Sequence, residues 1–160
     1  VASYGFDAPL EGALAYTPHL EAFIAVAPRF RSGLLAQDLL ELGLSASTIA
    51  GLRQCMIAPF ASVAEACGWL YVHQRATLLH DAIRLELIDH LPEVADATRA
   101  LRLHEGKIGT LWEELGEVFD TVARSTSVED RIIVAAHEAF RTTLAWNHRP
   151  LPVERVARWS

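Results

Sequence analysis

From Ala61 to Leu91 the chain has no proline and a single glycine, Gly68, and prolines at 59 and 92 bound the stretch. Proline and glycine are the residues that most strongly break a helix, so a run this long without them predicts one long central helix at about residues 60–90. Pro92 closes it by disfavouring the helical state at Leu91. Strand signals are almost absent, with no long alternating Val/Ile/Thr run and no Asn-Gly or Asp-Gly turn. The remaining segments show helical spacing. They read as short helices at 8–16, with Pro9 in the first turn, and at 19–27. Helix 29–42 carries an apolar stripe of Leu34, Leu35, Leu39 and Leu42, with Gly43 as C-cap. Ser45 and Ser47 are candidate N-caps for a turn at 46–53. Further helices are expected at 92–103 and at 109–124, the latter with Leu111, Leu115, Val118, Phe119 and Val122 on one side. Ser127 caps a last long helix to about Asn147, with Asp130 in the capping-box position. The tail with Pro150 and Pro152 reads as irregular. The fold class is therefore all-α: an irregular multi-helix bundle forming a single domain over residues 1–160.

Composition bounds the partners. Half of the chain is apolar (51%) and 21% is charged, which is globular composition. The net charge of −6, with no Lys/Arg cluster, speaks against nucleic acid. No apolar run is long enough for a membrane span, and the N-terminal residues lack the signal-peptide pattern, so the cytoplasm is the expected location. Cys55 and Cys67 have no metal-ligand spacing around them and read as small buried hydrophobes in a reducing compartment.

Several strings, in order, carry a resemblance. They are Gly5-Phe6-Asp7-Ala8-Pro9-Leu10-Glu11, Asp38-Leu39-Leu40-Glu41-Leu42-Gly43 and Gly68-Trp69-Leu70-Tyr71-Val72. Trp112 follows, then Ala135-Ala136-His137-Glu138-Ala139-Phe140 and Trp146. Together they resemble the bacterial haem oxygenases, particularly the biliverdin-producing type found with bacterial phytochromes. The resemblance implies the haem oxygenase fold and haem as cofactor. It also implies an iron-ligating histidine on a first helix that precedes the Gly-Phe string, a position that falls before Val1.

One departure bears on chemistry. After Leu-Tyr-Val the family carries Leu-Glu-Gly-Ser-x-x-Gly-Gly. Here the corresponding residues are His73, Gln74, Arg75, Ala76, Thr77, Leu78, Leu79 and His80. Glycines at i and i+4 share a helical face and let the backbone lie against a flat macrocycle. Arg75 and Leu79, with Ala76 between them and His80 beside them, would place side chains where the family leaves room for dioxygen. Forcing extra methylenes into a packed site costs roughly 1–3 kcal/mol. The expectation is a haem oxygenase-like protein that has lost haem degradation and serves a binding, sensing or regulatory role. The alternative is a working enzyme that opens haem to biliverdin, with its ligand histidine upstream.

Other candidates are His73, Thr77, His80 and Arg84, which fall on one helical stripe. They could form a replacement pocket or a ligand pair, or a polar stripe that faces solvent or fills the pocket with hydrogen bonds. Two turns separate His73 from His80, about 10 Å, too far to share one zinc tetrahedrally. His19 and His137 read as non-ligands. His90 and His104 read as helix C-terminal histidines suited to the dipole in partly protonated form. The aromatics Trp69, Tyr71, Trp112, Phe119, Phe140 and Trp146 read as core. Asp38, Glu41, Glu113, Glu114 and Glu117 could supply carboxylate pairs, Glu113 and Glu117 reading as solvated. Without the family's first helix an apolar groove is expected on the bundle, filled by a homodimer mate, another segment or a partner helix.

Overall fold

The computed structural model describes residues 1–149. The expected irregular tail at Pro150 and Pro152 lies outside them. Eight α-helices follow in order among the described residues, with no strand: α1 Ala2–Ala15, α2 Ser32–Glu41, α3 Ala46–Ala50, α4 Val63–Ala76, α5 His80–His90, α6 Arg99–Arg102, α7 Ile108–Val122 and α8 Thr126–Asn147. Single-turn 3₁₀ segments stand at Leu20–Ala22, Ala27–Arg29 and Thr77–Leu79, and a longer one at Pro92–Ala97. No helix among the described residues is long and apolar enough to cross a membrane.

Pro9 sits inside α1 rather than in a first turn, because the helix starts at Ala2. Proline has no N–H to give the carbonyl four residues back. The freed Gly5 carbonyl instead accepts the Cys55 N–H at 2.7 Å. Gly5 makes that approach feasible: a Cβ there would lie 2.3 Å from the Arg53 carbonyl oxygen and 3.0 Å from the Trp146 ring. Trp146 in turn donates its indole N–H to the Ala2 carbonyl at 2.9 Å. The Gly-Phe string thus ties the first helix to the 53–55 segment and to the end of the last helix.

The long central helix is not continuous. It breaks into α4 and α5 at the Thr77–Leu79 turn. No proline or glycine causes the break. At the break the Thr77 hydroxyl donates to the Gln74 carbonyl at 2.7 Å, a side-chain bond of the kind that bends helices. The other corrections are smaller. Segment 19–27 forms no α-helix, only the Leu20–Ala22 turn and the start of the Ala27–Arg29 turn, and 92–103 divides into the Pro92–Ala97 3₁₀ segment and α6. The last helix begins two residues early with Ser125, not Ser127, at its N-cap. Gly43 and Ser45 do act as caps. Gly43 has φ 87°, with its N–H on Leu40 and the Leu44 N–H on Leu39. Ser45 Oγ accepts the Thr48 N–H at 3.1 Å.

The core gathers Phe6, Leu10, Leu14, Leu20, Leu70 and Leu115 around Trp69, with Phe60 tilted against it at 5.5 Å. Helix α4 packs most tightly on α8. A Cβ on Gly68 would lie 2.5 Å from the Ile132 carbonyl oxygen and 2.6 Å from the Ala136 nitrogen, so only glycine permits this approach. Arg75 further along α4 reaches Phe140 further along α8, so the two helices ascend together. The remaining glycine of the central stretch therefore serves helix–helix packing.

Candidate functional site

The α4–α5 segment divides its residues between two faces. His73, Gln74, Thr77 and His80 are buried and point into the bundle. Tyr71, Arg75, Ala76, Leu78 and Leu79 are exposed on the other side, Leu79 at 62%. The stripe of His73, Thr77, His80 and Arg84 read from spacing is real, and it faces the interior rather than solvent. Arg84 is half-buried, 3.6 Å from Glu105.

On the inner face the histidines meet charges from α1 and from the segment that leads into α2. Asp7 and Glu11, one turn apart on α1, are both buried. Arg31 donates from Nε to Asp7 Oδ2 at 2.7 Å, and its Nη1 contacts His80 Nε2. His73 Nδ1 lies 3.6 Å from Asp7 Oδ1. Glu11 accepts the backbone N–H of Arg31 at 2.6 Å and of Ser32 at 3.0 Å, and the Ser32 hydroxyl, holding the start of α2. Buried Arg29 donates to the Gln74 side-chain oxygen, to the Leu111 carbonyl at 3.3 Å and to Glu114 at 2.6 Å. His73 Nε2, His80 Nδ1, Gln74 Nε2 and Arg29 Nε make no hydrogen bond among the described residues.

This environment favours neutral imidazoles. Burial pushes His73 down to about 4, Asp7 opposing and Arg31 reinforcing the shift. Burial and then Arg31 push His80 down to about 4 as well. His104, expected to be a partly charged dipole partner, is instead buried and lowered by burial, Arg31 and Arg29. Glu11 is raised by burial, with its hydrogen bonds from Ser32 and Arg31 opposing. His90 keeps the expected helix-end role, its Nδ1 lying 2.9 Å from the Glu86 carbonyl oxygen. His19 is exposed with φ 65°. Among the described residues no group of three or more His, Cys, Asp or Glu side chains is placed to hold a metal ion. The carboxylates also sort themselves. Asp38 is buried and accepts the N–H groups of Arg99 and Ala100 at 3.0 and 2.9 Å, so it anchors α6. Glu114 pairs with Arg29, while Glu113 and Glu117 are exposed as expected. Cys55 and Cys67 are buried free thiols, Cys67 pushed up to about 11 by burial.

On the outer face two of the aromatics expected in the core are not there. Tyr71 is 37% and Phe140 50% exposed. They line a shallow cleft of about 250 Å³ with Val72, Arg75, Ala136 and His137, and the Arg75 guanidinium sits 5.9 Å from the Phe140 ring centre. Beyond the break, Leu79, Ala82, Ile83, Glu86, Leu87 and His90 border an apolar concavity of about 600 Å³. Among the described residues the surface beside Arg75 and Leu79 is thus open.

Asp7, Glu11, Arg29 and Arg31 were not singled out from the sequence as site residues. One signal was there: Asp7 and Glu11 stand at helical spacing among Phe6, Leu10 and Leu14, which places carboxylates on a face that must be buried. Compared with known protein families, curated proteins and solved structures, the chain matches none.

Proposed function

We propose that this chain is a divergent haem oxygenase-like protein that no longer degrades haem and acts through binding at the open face of α4 and α5. The ordered strings from Gly5 to Trp146 support the family reading, and an all-helical bundle is compatible with it. One observation carries the loss of haem chemistry: the side chains at 75 and 79 stand out on the open face, while the segment's two histidines are turned into the Asp7–Arg31 network.

The residues do not fit a haem seated flush on this helix. Its approach needs bare backbone at one-turn spacing, and here it would meet a guanidinium stacked on Phe140 and an isobutyl side chain. Neither His73 nor His80 is free to reach an iron there. The one glycine of the segment, Gly68, is closed off by α8. A face of this kind, apolar with Arg75 at one end and Glu86 at the other, suits a protein partner better than a dianionic macrocycle. The test is turnover: incubation with hemin and a reductant is expected to give no biliverdin absorption, and stoichiometric biliverdin would overturn the reading.

A further inference from the structure

The outer face of α4–α5 has a charge order that reads the same from a second copy. Leu78, Leu79, Ala82 and Ile83 form its centre, and the three larger side chains are each about half exposed or more. An exposed apolar surface of this kind marks a contact site. Arg75 lies at one end and Glu86 at the other. In a two-fold interface, residue i meets j and j meets i. An antiparallel copy centred between Leu79 and Ala82 sets Arg75 opposite the partner's Glu86, Leu78 opposite the partner's Ile83 and Leu79 opposite the partner's Ala82. Both charges find an opposite charge, and every apolar residue finds an apolar one. The concavity beside Leu79 and Ile83 offers space for the partner's side chains. An anionic membrane is a poorer occupant, since Glu86 and Asp89 border the patch and the chain carries −6.

From this self-complementarity we infer that the face is a homodimer interface, with Leu79 and Ile83 at its apolar centre and Arg75–Glu86 pairs at its two ends. The inference rests on the reading that haem does not occupy this face. Sedimentation velocity of the full chain over a concentration series, with hemin absorbance recorded in parallel, tests both. A concentration-dependent dimer is expected. Ile83→Asp is expected to be monomeric with unchanged helical circular dichroism, because residue 83 is exposed in the protomer. Arg75→Glu is expected to weaken the dimer roughly tenfold, and Arg75→Glu with Glu86→Arg to restore it. A monomer up to the solubility limit that takes up no hemin would overturn the dimer alone. A monomer that takes up one equivalent of hemin would overturn both readings. A dimer indifferent to Ile83→Asp and to the charge reversal would place the interface elsewhere and overturn this one.

Discussion

Arg31, largely buried, and Asp7, fully buried, form an ion pair, Nε to Oδ2 at 2.7 Å, that joins the entry to α2 to the middle of α1. The pair also sets the state of α4–α5, because the same guanidinium reaches His80 and the same carboxylate faces His73. Breaking a buried pair leaves an uncompensated charge. Arg31→Met is therefore expected to destabilise the fold by about 3–5 kcal/mol in urea titration. The double variant Asp7→Leu with Arg31→Met is expected to recover most of the loss, since removing both charges removes the desolvation penalty too. An Arg31→Met variant as stable as the parent would mean that the pair carries no such weight.

Acid should loosen this region. His73 and His80 are held near 4, below the usual value of about 6.5, so the folded chain favours their neutral forms. Between about pH 6.5 and 4 the unfolded chain binds more protons. The stability from these groups is therefore complete above about 6.5 and is lost as pH falls towards 4. The loss is of order 3 kcal/mol for His73 alone. Glu11 acts with the opposite sign, since its raised value favours the folded state on the acid side and fades as pH rises. Urea midpoints at pH 7 and pH 5 are expected to differ, and His73→Gln with His80→Gln to shrink the difference. Equal midpoints in the parent chain would contradict the buried-imidazole account.

The glycines divide into those that need to be glycine and those that do not. Gly68→Ala forces a Cβ against backbone atoms of α8 at 2.5 and 2.6 Å. The backbone must shift, so a net loss of about 1–3 kcal/mol is expected despite the better helix propensity of alanine. Gly116, inside α7, has open space around its Cβ position. Gly116→Ala is expected to gain up to about 1 kcal/mol. Thermal melts of the two variants should therefore move in opposite directions.

The helical class was legible because breakers are spaced widely and caps are explicit: Gly43 and Ser45 behave as their residue types require. The apolar stripe of 109–124 also lies as its spacing indicates, with Leu115 and Val118 buried. What the sequence hid were choices made by tertiary contact. Pro9 reads as a helix start, and only the Cys55 N–H waiting for the Gly5 carbonyl lets it sit mid-helix. Thr77 carries no break signal by propensity, yet the chain turns into 3₁₀ there, with its hydroxyl on the Gln74 carbonyl. Tyr71 and Phe140 have core chemistry but are covered on one side only, Tyr71 by Trp112 and Phe119 and Phe140 by Arg75, and stay 37% and 50% exposed. The inward stripe was legible as a set, but its direction depended on Asp7 and Arg31, far away in sequence.

The central claim is that the face bearing Arg75 and Leu79 does not seat haem. Stoichiometric hemin titration followed by absorbance tests it most directly. A broad, non-saturating rise like that of free hemin is expected. A sharp Soret band that saturates at one equivalent would contradict the account.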